Sequence, residues 1–145
     1  MPPTARPGPS SRAVARNLVR YRKQAELSQV DVVRMLTERG VPLSVPSYSA
    51  IENGGTRITV DLLVAAADAL GVSPATLLIP HAEDMEAEVE LTGAKATAVQ
   101  AWRWITAQSP LKPLEDKGKR AEAEVRAWRY RVSPIWWGRG QDGDR

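Results

Sequence analysis

LSQVDVVRMLTERGVPLSVPSYSAIENG, residues 27–54, predicts two helices joined by a turn. Ser28 precedes an apolar run of helical period, and Asp31 follows three residues later. Their oxygens can satisfy free amides of the first turn, and the carboxylate favours the positive end of a helix. Gly40 and Pro42 then end the helix, since glycine can take the left-handed conformation and proline cannot extend the ladder. The first helix of this pair is therefore predicted over residues 29–39.

A second, shorter helix follows, with Ser44 as its predicted N-cap. Pro46 lies in the first turn, where its missing N–H costs nothing. Gly54 and Gly55 end it. A helix, a turn and a short second helix form the geometry that places a helix end in the DNA major groove. Antiparallel helix pairs also occur in proteins that bind no nucleic acid, so spacing alone leaves both interpretations open.

Three motifs favour the DNA-binding interpretation. They are Leu27-Ser28-Gln29, Ile51-Glu52-Asn53-Gly54, and AADALGVS at residues 66–73. Through them the run Asn17–Leu78 resembles the Cro/C1-type (XRE-like) helix-turn-helix family of bacterial and phage regulators. The motifs are specific as a set, although each is weak alone. The resemblance implies an all-α fold, with a five-helix lambda-repressor-like DNA-binding domain. A small Trp-rich helical region would follow it.

The flanking helices carry their own signals. The helix that precedes the pair is predicted from Ser10 or Ser11 to about Gln24, with apolar residues at helical spacing. It is the first helix of the chain. A fourth opens at Thr59 or Val60 and ends at Gly71. Ser73-Pro74 then pairs a cap with a proline at the first helical position, so a fifth short helix is predicted through Leu78.

The resemblance also implies site residues. Val45, Pro46 and Ala50 fall where family members read base edges, yet these side chains offer no hydrogen bond. Thymine methyl groups, Ser47 and DNA shape are therefore expected to carry specificity. Gln29 and Arg57 are expected to contact phosphates. The predicted DNA-binding residues are Gln29, Ser44, Val45, Pro46, Ser47, Ser49, Ala50, Asn53 and Arg57.

Two further residues are implied to have a structural role. Arg22 matches the family position whose guanidinium pairs with the glutamate of the recognition helix, which is Glu52 in this chain. An Arg22–Glu52 ion pair is therefore expected between the first and third helices. Tyr48 stands at a position that is usually aliphatic, so its ring is expected to be half buried, with the hydroxyl reaching an edge.

Composition excludes several classes of function. The chain has 145 residues, no cysteine and one histidine, which argues against disulfides, thiolate catalysis and common zinc sites. Because no nucleophile set, metal set or phosphate loop is present, we predict neither an enzyme nor a cofactor. No run of eighteen apolar residues and no secretory h-region occurs, so a cytoplasmic protein without membrane contact is expected.

Charge is unevenly distributed, although the net charge is only +3. Within residues 1–28, Glu26 is the only acidic residue. The basic residues there are Arg6, Arg12, Arg16, Arg20, Arg22 and Lys23. Such a block suits the phosphate backbone of double-stranded DNA, whose neutralisation releases counterions. Taken alone, it also fits a solvated charged face.

We predict five segments. Residues 1–10, rich in proline, form a disordered arm, and residues 11–80 form the helix-turn-helix DNA-binding domain. Residues 81–92 are an acidic linker, in which the alternation at 88–91 favours a short strand of little stability by itself. Residues 93–137 form a helical dimerisation or interaction region, with helices over about 93–108 and 114–131. Residues 138–145 form a flexible tail.

The helical region has more apolar surface than two short helices can bury, which indicates an interface. The predicted interface residues are Trp102, Trp104, Trp128, Trp136 and Trp137. One hypothesis is a sequence-specific transcriptional regulator, a repressor that binds a palindromic operator as a homodimer. The alternative is an antitoxin or adaptor that uses the helix-turn-helix fold and the Trp-rich helices to bind a protein partner.

Overall fold

The computed structural model describes residues 6–112 and 118–137. This part of the chain contains seven helices and one antiparallel pair of strands. It divides between Ala98 and Val99 into two compact units. No helix among the described residues is long and apolar enough to cross a bilayer.

The first unit contains five helices in the order that the sequence predicts. They are α1 (Pro9–Gln24), α2 (Gln29–Glu38), α3 (Val45–Glu52), α4 (Val60–Leu70) and α5 (Pro74–Leu78). Four of them begin with a hydroxyl side chain that accepts a hydrogen bond from the backbone N–H three residues later. These N-caps are Ser28, Ser44, Thr59 and Ser73. Such caps satisfy amides that have no partner within the helix, so these helix starts are fixed locally.

Apolar faces of the five helices meet in one core. Its largest fully buried side chains are Tyr48, Leu18, Leu36, Leu77, Val14 and Val32. Each helix contributes, because every one carries apolar residues on one face. Packing α2 and α3 against α1 and α4 fixes how the two central helices lie relative to each other.

Asn17 is a buried polar residue within this unit, only 3% exposed. Its Nδ2 donates to the carbonyl oxygens of Leu77 at 2.9 Å and Ile79 at 2.7 Å. Carbonyls at the end of a helix lack partners within the helix, so one amide of α1 satisfies the end of α5. The contact spans sixty residues, so no local pattern in the sequence predicts it.

The expectation of an all-α fold is wrong in one region. Strands β1 (Glu88–Leu91) and β2 (Ala94–Thr97) form a hairpin in which Leu91 pairs with Ala94. Gly93 completes the two-residue turn with a φ of 86°, a conformation that favours glycine. The helix predicted from Gly93 therefore begins at Ala98, after β2. The alternation at 88–91 does form a strand, inside the stretch expected to be a linker.

Tertiary packing explains why this short strand is stable. Val89 and Leu91 of β1 and Ala96 of β2 are buried, while Glu88 and Glu90 are exposed. β1 packs on α1. A two-stranded hairpin without such packing would be only marginally stable. The hairpin thus belongs to the first unit.

The second unit contains most of α6 (Ala98–Ile105) and all of α7 (Lys119–Val132). α6 ends three residues earlier than the predicted position, 108. The predicted start of α7 at 114 lies outside the described residues. The same holds for half of the predicted arm, residues 1–5, and for the predicted tail, residues 138–145. α1 begins at Pro9, so the last two residues of the predicted arm are helical.

We predict that Asn17→Ala lowers the free energy of unfolding by about 2 kcal/mol, because buried carbonyl oxygens lose their donor. Chemical unfolding followed by far-ultraviolet circular dichroism measures it. Tryptophan fluorescence is unsuitable, since all five tryptophans lie in the second unit.

Asn17→Asp is the matched control, because it keeps the shape and removes the amide donors. Its carboxylate would face carbonyl oxygens, so the loss at neutral pH should be at least as large as for alanine. The loss should shrink in acid, where the protonated carboxyl can donate one bond. Wild-type stability of Asn17→Asp at neutral pH would contradict the assignment.

Candidate nucleic-acid interface

The carboxylate of Glu52 joins the first three helices. Arg22 on α1 donates through Nε to Oε1 at 2.6 Å and through Nη2 to Oε2 at 2.9 Å. Gln29, the first residue of α2, donates through Nε2 to Oε2 at 2.8 Å. The expected Arg22–Glu52 ion pair is thus present as a bidentate contact, the strongest geometry for this pair. It holds the start of α2 against the end of α3.

Burial makes this pair energetically important, because the Arg22 and Glu52 side chains are only 13% and 3% exposed. Burial by itself would raise the pKa of Glu52. Hydrogen bonds from Arg22 and Gln29 outweigh that effect, and the pKa lies below its ordinary value of 4.5. The bond to Glu52 raises the pKa of Arg22 above its ordinary value. Both charged forms are therefore favoured in the folded protein.

Tyr48 differs from its expected half-buried state, since it is 0% exposed. Its hydroxyl lies in the interior beside Glu52 and Arg22, without a hydrogen bond of standard geometry. Burial raises the pKa of this hydroxyl, so it stays protonated. The packing that closes around α3 buries the ring completely, which the local sequence does not reveal.

The first turn of α3 is open to solvent. Ser44, Pro46, Ser47 and Ala50 are exposed, while Val45 and Ser49 are half-buried. The Ser44 hydroxyl accepts from the Ser47 backbone N–H at 3.2 Å and donates to the Ser47 hydroxyl at 2.8 Å. A hydroxyl that accepts one bond can still donate its own hydrogen, so Ser47 retains a donor for a ligand.

The loop after α3 carries the remaining candidates, Asn53 and Arg57, both exposed. Gly54 has a φ of 75°, and its N–H donates to Ile51 O at 2.9 Å. The Gly55 N–H donates to Ala50 O at 3.0 Å, which completes a Schellman end. The Ile58 N–H then donates to Ser11 Oγ of α1 at 3.3 Å. These bonds anchor both ends of the loop that presents Arg57.

Gln29 lies at the capped start of α2, where Ser28 and Asp31 form a reciprocal capping box. Its amide was expected to donate to a phosphate, and in the structure it already donates to Glu52. A primary amide carries two hydrogens, so one donor remains for another partner. The structure therefore brings Gln29 together with α3, and Arg57 lies on the loop that follows α3.

Arg12 is a basic side chain beside this loop that was predicted only as part of the basic block. A Cβ built on Gly54 would lie 4.0 Å from Arg12 Cγ, so the arginine stem passes over the turn that ends α3. Arg12 Nη1 donates to Pro7 O at 2.6 Å. Arg12 and Gly54 lie far apart along the chain, so no local sequence pattern predicts that they meet.

The five predicted interface tryptophans lie in the second unit. Trp102 is 38%, Trp104 is 42% and Trp136 is 69% exposed, while Trp128 and Trp137 are half-buried. The guanidinium of Arg129 lies 5.0 Å from the centre of the Trp137 ring, a cation–π contact. Tyr130 and Ile135 are also exposed, and both line a small pocket with Trp137.

In comparison with known families, residues 18–77 match the helix-turn-helix family. This range begins within α1 and ends within α5, so it includes Arg22, Gln29, all of α3 and Arg57. The family is a class of DNA-binding regulatory domains rather than of enzymes. No curated protein and no solved structure matches the chain.

We predict that Arg22→Met lowers the free energy of unfolding at neutral pH by about 3 kcal/mol, since Glu52 keeps its charge in a buried site. The loss should begin to shrink above pH 4.5, because without Arg22 burial raises the pKa of Glu52, and it should continue to shrink below 4.5. The wild type then loses the stabilisation that its lowered Glu52 pKa supplies, whereas the variant neutralises an unpaired acid. Chemical unfolding across this pH range measures the difference.

Adding Glu52→Gln to Arg22→Met provides the control. The double variant contains no buried unpaired charge, so it should be more stable at neutral pH than Arg22→Met alone. If the loss caused by Arg22→Met were the same at neutral and acidic pH, the ion pair would not be its origin.

Proposed function

Because residues 18–77 form a helix-turn-helix domain of the Cro/C1 type, we propose that this chain is a sequence-specific DNA-binding transcriptional regulator. The proposal includes a lambda-repressor-like arrangement of α1–α5. The protein would act in the cytoplasm as a repressor and would bind a palindromic operator as a homodimer.

One observation carries the proposal: Glu52 ties the N-terminal end of α2 to α3 while the first turn of α3 stays open to solvent. The start of α2, with its backbone N–H groups and the free amide hydrogen of Gln29, then lies at the end of α3, next to the loop that carries Asn53 and Arg57. This arrangement suits phosphates that flank a groove. Within the described residues, Arg57 has no carboxylate partner, so its charge is available for a backbone contact.

Base reading is proposed to rest on the exposed turn of α3. Val45, Pro46 and Ala50 can contact thymine methyl groups, whereas Ser47 can donate to a base acceptor. The proposed DNA contacts are the nine residues Gln29, Ser44, Val45, Pro46, Ser47, Ser49, Ala50, Asn53 and Arg57. Because few of them can form two hydrogen bonds with a base, DNA shape is expected to contribute to specificity.

Dimerisation is assigned to the second unit. The exposed apolar side chains of Trp102, Trp104 and Trp136 need a partner surface, and closed twofold pairing is the commonest solution. A single helix-turn-helix reads only a few base pairs, so two half-sites give the specificity that a genome demands.

The same exposed surface also favours a second candidate. Ile135 and Tyr130 are 83% and 65% exposed, and both line a pocket with Trp137. A different protein could cover this surface, as in an antitoxin or an adaptor. The oligomeric state of the free chain distinguishes the two candidates.

We predict that Arg57→Ala weakens binding to all duplexes alike and lowers the slope of log affinity against log salt by about one unit, because one phosphate contact is lost. Fluorescence anisotropy titrations at several salt concentrations measure the slope. Arg39→Ala is the control and should leave the slope unchanged: it removes the same charge from the other end of α2, where Asp68 already pairs with it. An altered base preference with an unchanged slope would contradict the role of Arg57.

We also predict that the full chain is a dimer that selects an inverted repeat from a random DNA library. A chain ending at Ala98 keeps the first unit with its hairpin, so it should remain folded, become monomeric and bind DNA only weakly. Analytical ultracentrifugation and the selection test both points. A monomeric full chain would favour the protein-partner candidate. A truncated dimer would instead show that the interface lies in the first unit, where Val60 and Val64 of α4 are exposed.

A further inference from the structure

We propose that the β-hairpin is a remote cap that positions Arg12 as an additional phosphate contact beside Arg57. This inference rests on the proposed DNA-binding function and extends it to elements on either side of the matched family range, residues 18–77. The positioning residue is Thr92, in the hairpin turn. Arg12 is the residue that would touch DNA.

The N-terminus of α1 lacks the side-chain cap that the other helices of this unit have. Its N-cap residue is Gly8, which has no side chain. Amides of the first helical turn then need another acceptor. Thr92, 82 residues away, supplies one: its Oγ1 accepts from the Ser10 N–H at 3.2 Å.

The contact is reciprocal, since the Thr92 N–H donates to Ser10 Oγ at 2.9 Å. It is also close-fitting. A Cβ on Gly8 would lie 3.0 Å from Thr92 Oγ1, a distance that would force a shift. Two hydrogen bonds and this close approach hold the hairpin turn and the first turn of α1 in one arrangement.

That arrangement places Arg12 next to the loop after α3. Ser11 accepts from the Ile58 N–H at the end of this loop, and the Arg12 stem passes over Gly54 at its start. One guanidinium nitrogen donates to Pro7 O, which fixes the side chain towards the arm. Arg12 is exposed and, with Arg16, lines a cleft beside Glu88 and Glu90 of β1. No carboxylate within the described part of the chain forms an ion pair with it.

The remaining guanidinium donors can therefore bind an anion at the edge of the surface that carries Arg57. If the cap were lost, the first turn of α1 could fray, since Gly8 supplies no substitute. Arg12 would then make no fixed contact with a phosphate and would contribute only long-range attraction to DNA. The hairpin thus affects DNA affinity without touching DNA.

The test uses the full chain and a mixed-sequence DNA duplex, because phosphate contacts act on any sequence. Arg12→Gln should lower affinity about eightfold at roughly 0.1 M salt and reduce the salt slope by about 0.9, the contribution of one phosphate. Arg16→Gln, one helical turn later, should leave the slope unchanged. Thr92→Val should weaken binding, while Thr92→Ser, which keeps the hydroxyl, should bind as the wild type does.

A double variant separates positioning from general stability. In the Thr92→Val background, Arg12→Gln should have little further effect, because Arg12 is already displaced. Full additivity of the two losses would overturn the positioning role. Equal slopes for Arg12→Gln and Arg16→Gln would overturn the contact, while binding that depends on Arg57 would leave the proposed function standing. A wild-type chain that binds no duplex would overturn both.

Discussion

The carboxylate of Glu52 is the point on which the candidate interface depends. Arg22 of α1 and Gln29 of α2 both donate to it, and Tyr48 of its own helix buries it. A charge with so little exposure is tolerated only when it is paired, so loss of either donor would disturb the angle between α2 and α3. The stability of the domain and the geometry of the open α3 turn therefore have one physical origin.

A second set of contacts connects α1 to distant parts of the first unit. Asn17 satisfies the end of α5, Ser11 accepts from the loop after α3, and Ser10 exchanges hydrogen bonds with Thr92 of the hairpin. Each contact satisfies a backbone group that its own element leaves free, as buried polar groups require. Through α1, the hairpin and the five helices act as one structural unit.

Signals within a few residues made most of the first unit predictable. Ser28, Ser44 and Ser73 mark helix starts, because a cap depends on amides only three residues away. The Arg22–Glu52 contact was expected only through family resemblance, since nothing local relates two charges thirty residues apart. The hairpin was missed in part for a related reason: residues 94–97 form a strand only because they pair with β1 and the hairpin packs on α1.

The sequence by itself determined the five helices, the caps of α2–α5 and the side chains available at the start of α3, because these follow from local hydrogen bonding and helical period. Tertiary structure decided how those side chains are presented. It engaged the Gln29 amide with Glu52, buried Tyr48 completely and laid Arg12 across the turn that ends α3. The physical reason is that burial and long-range hydrogen bonds depend on which elements meet, and that is settled only when the core closes.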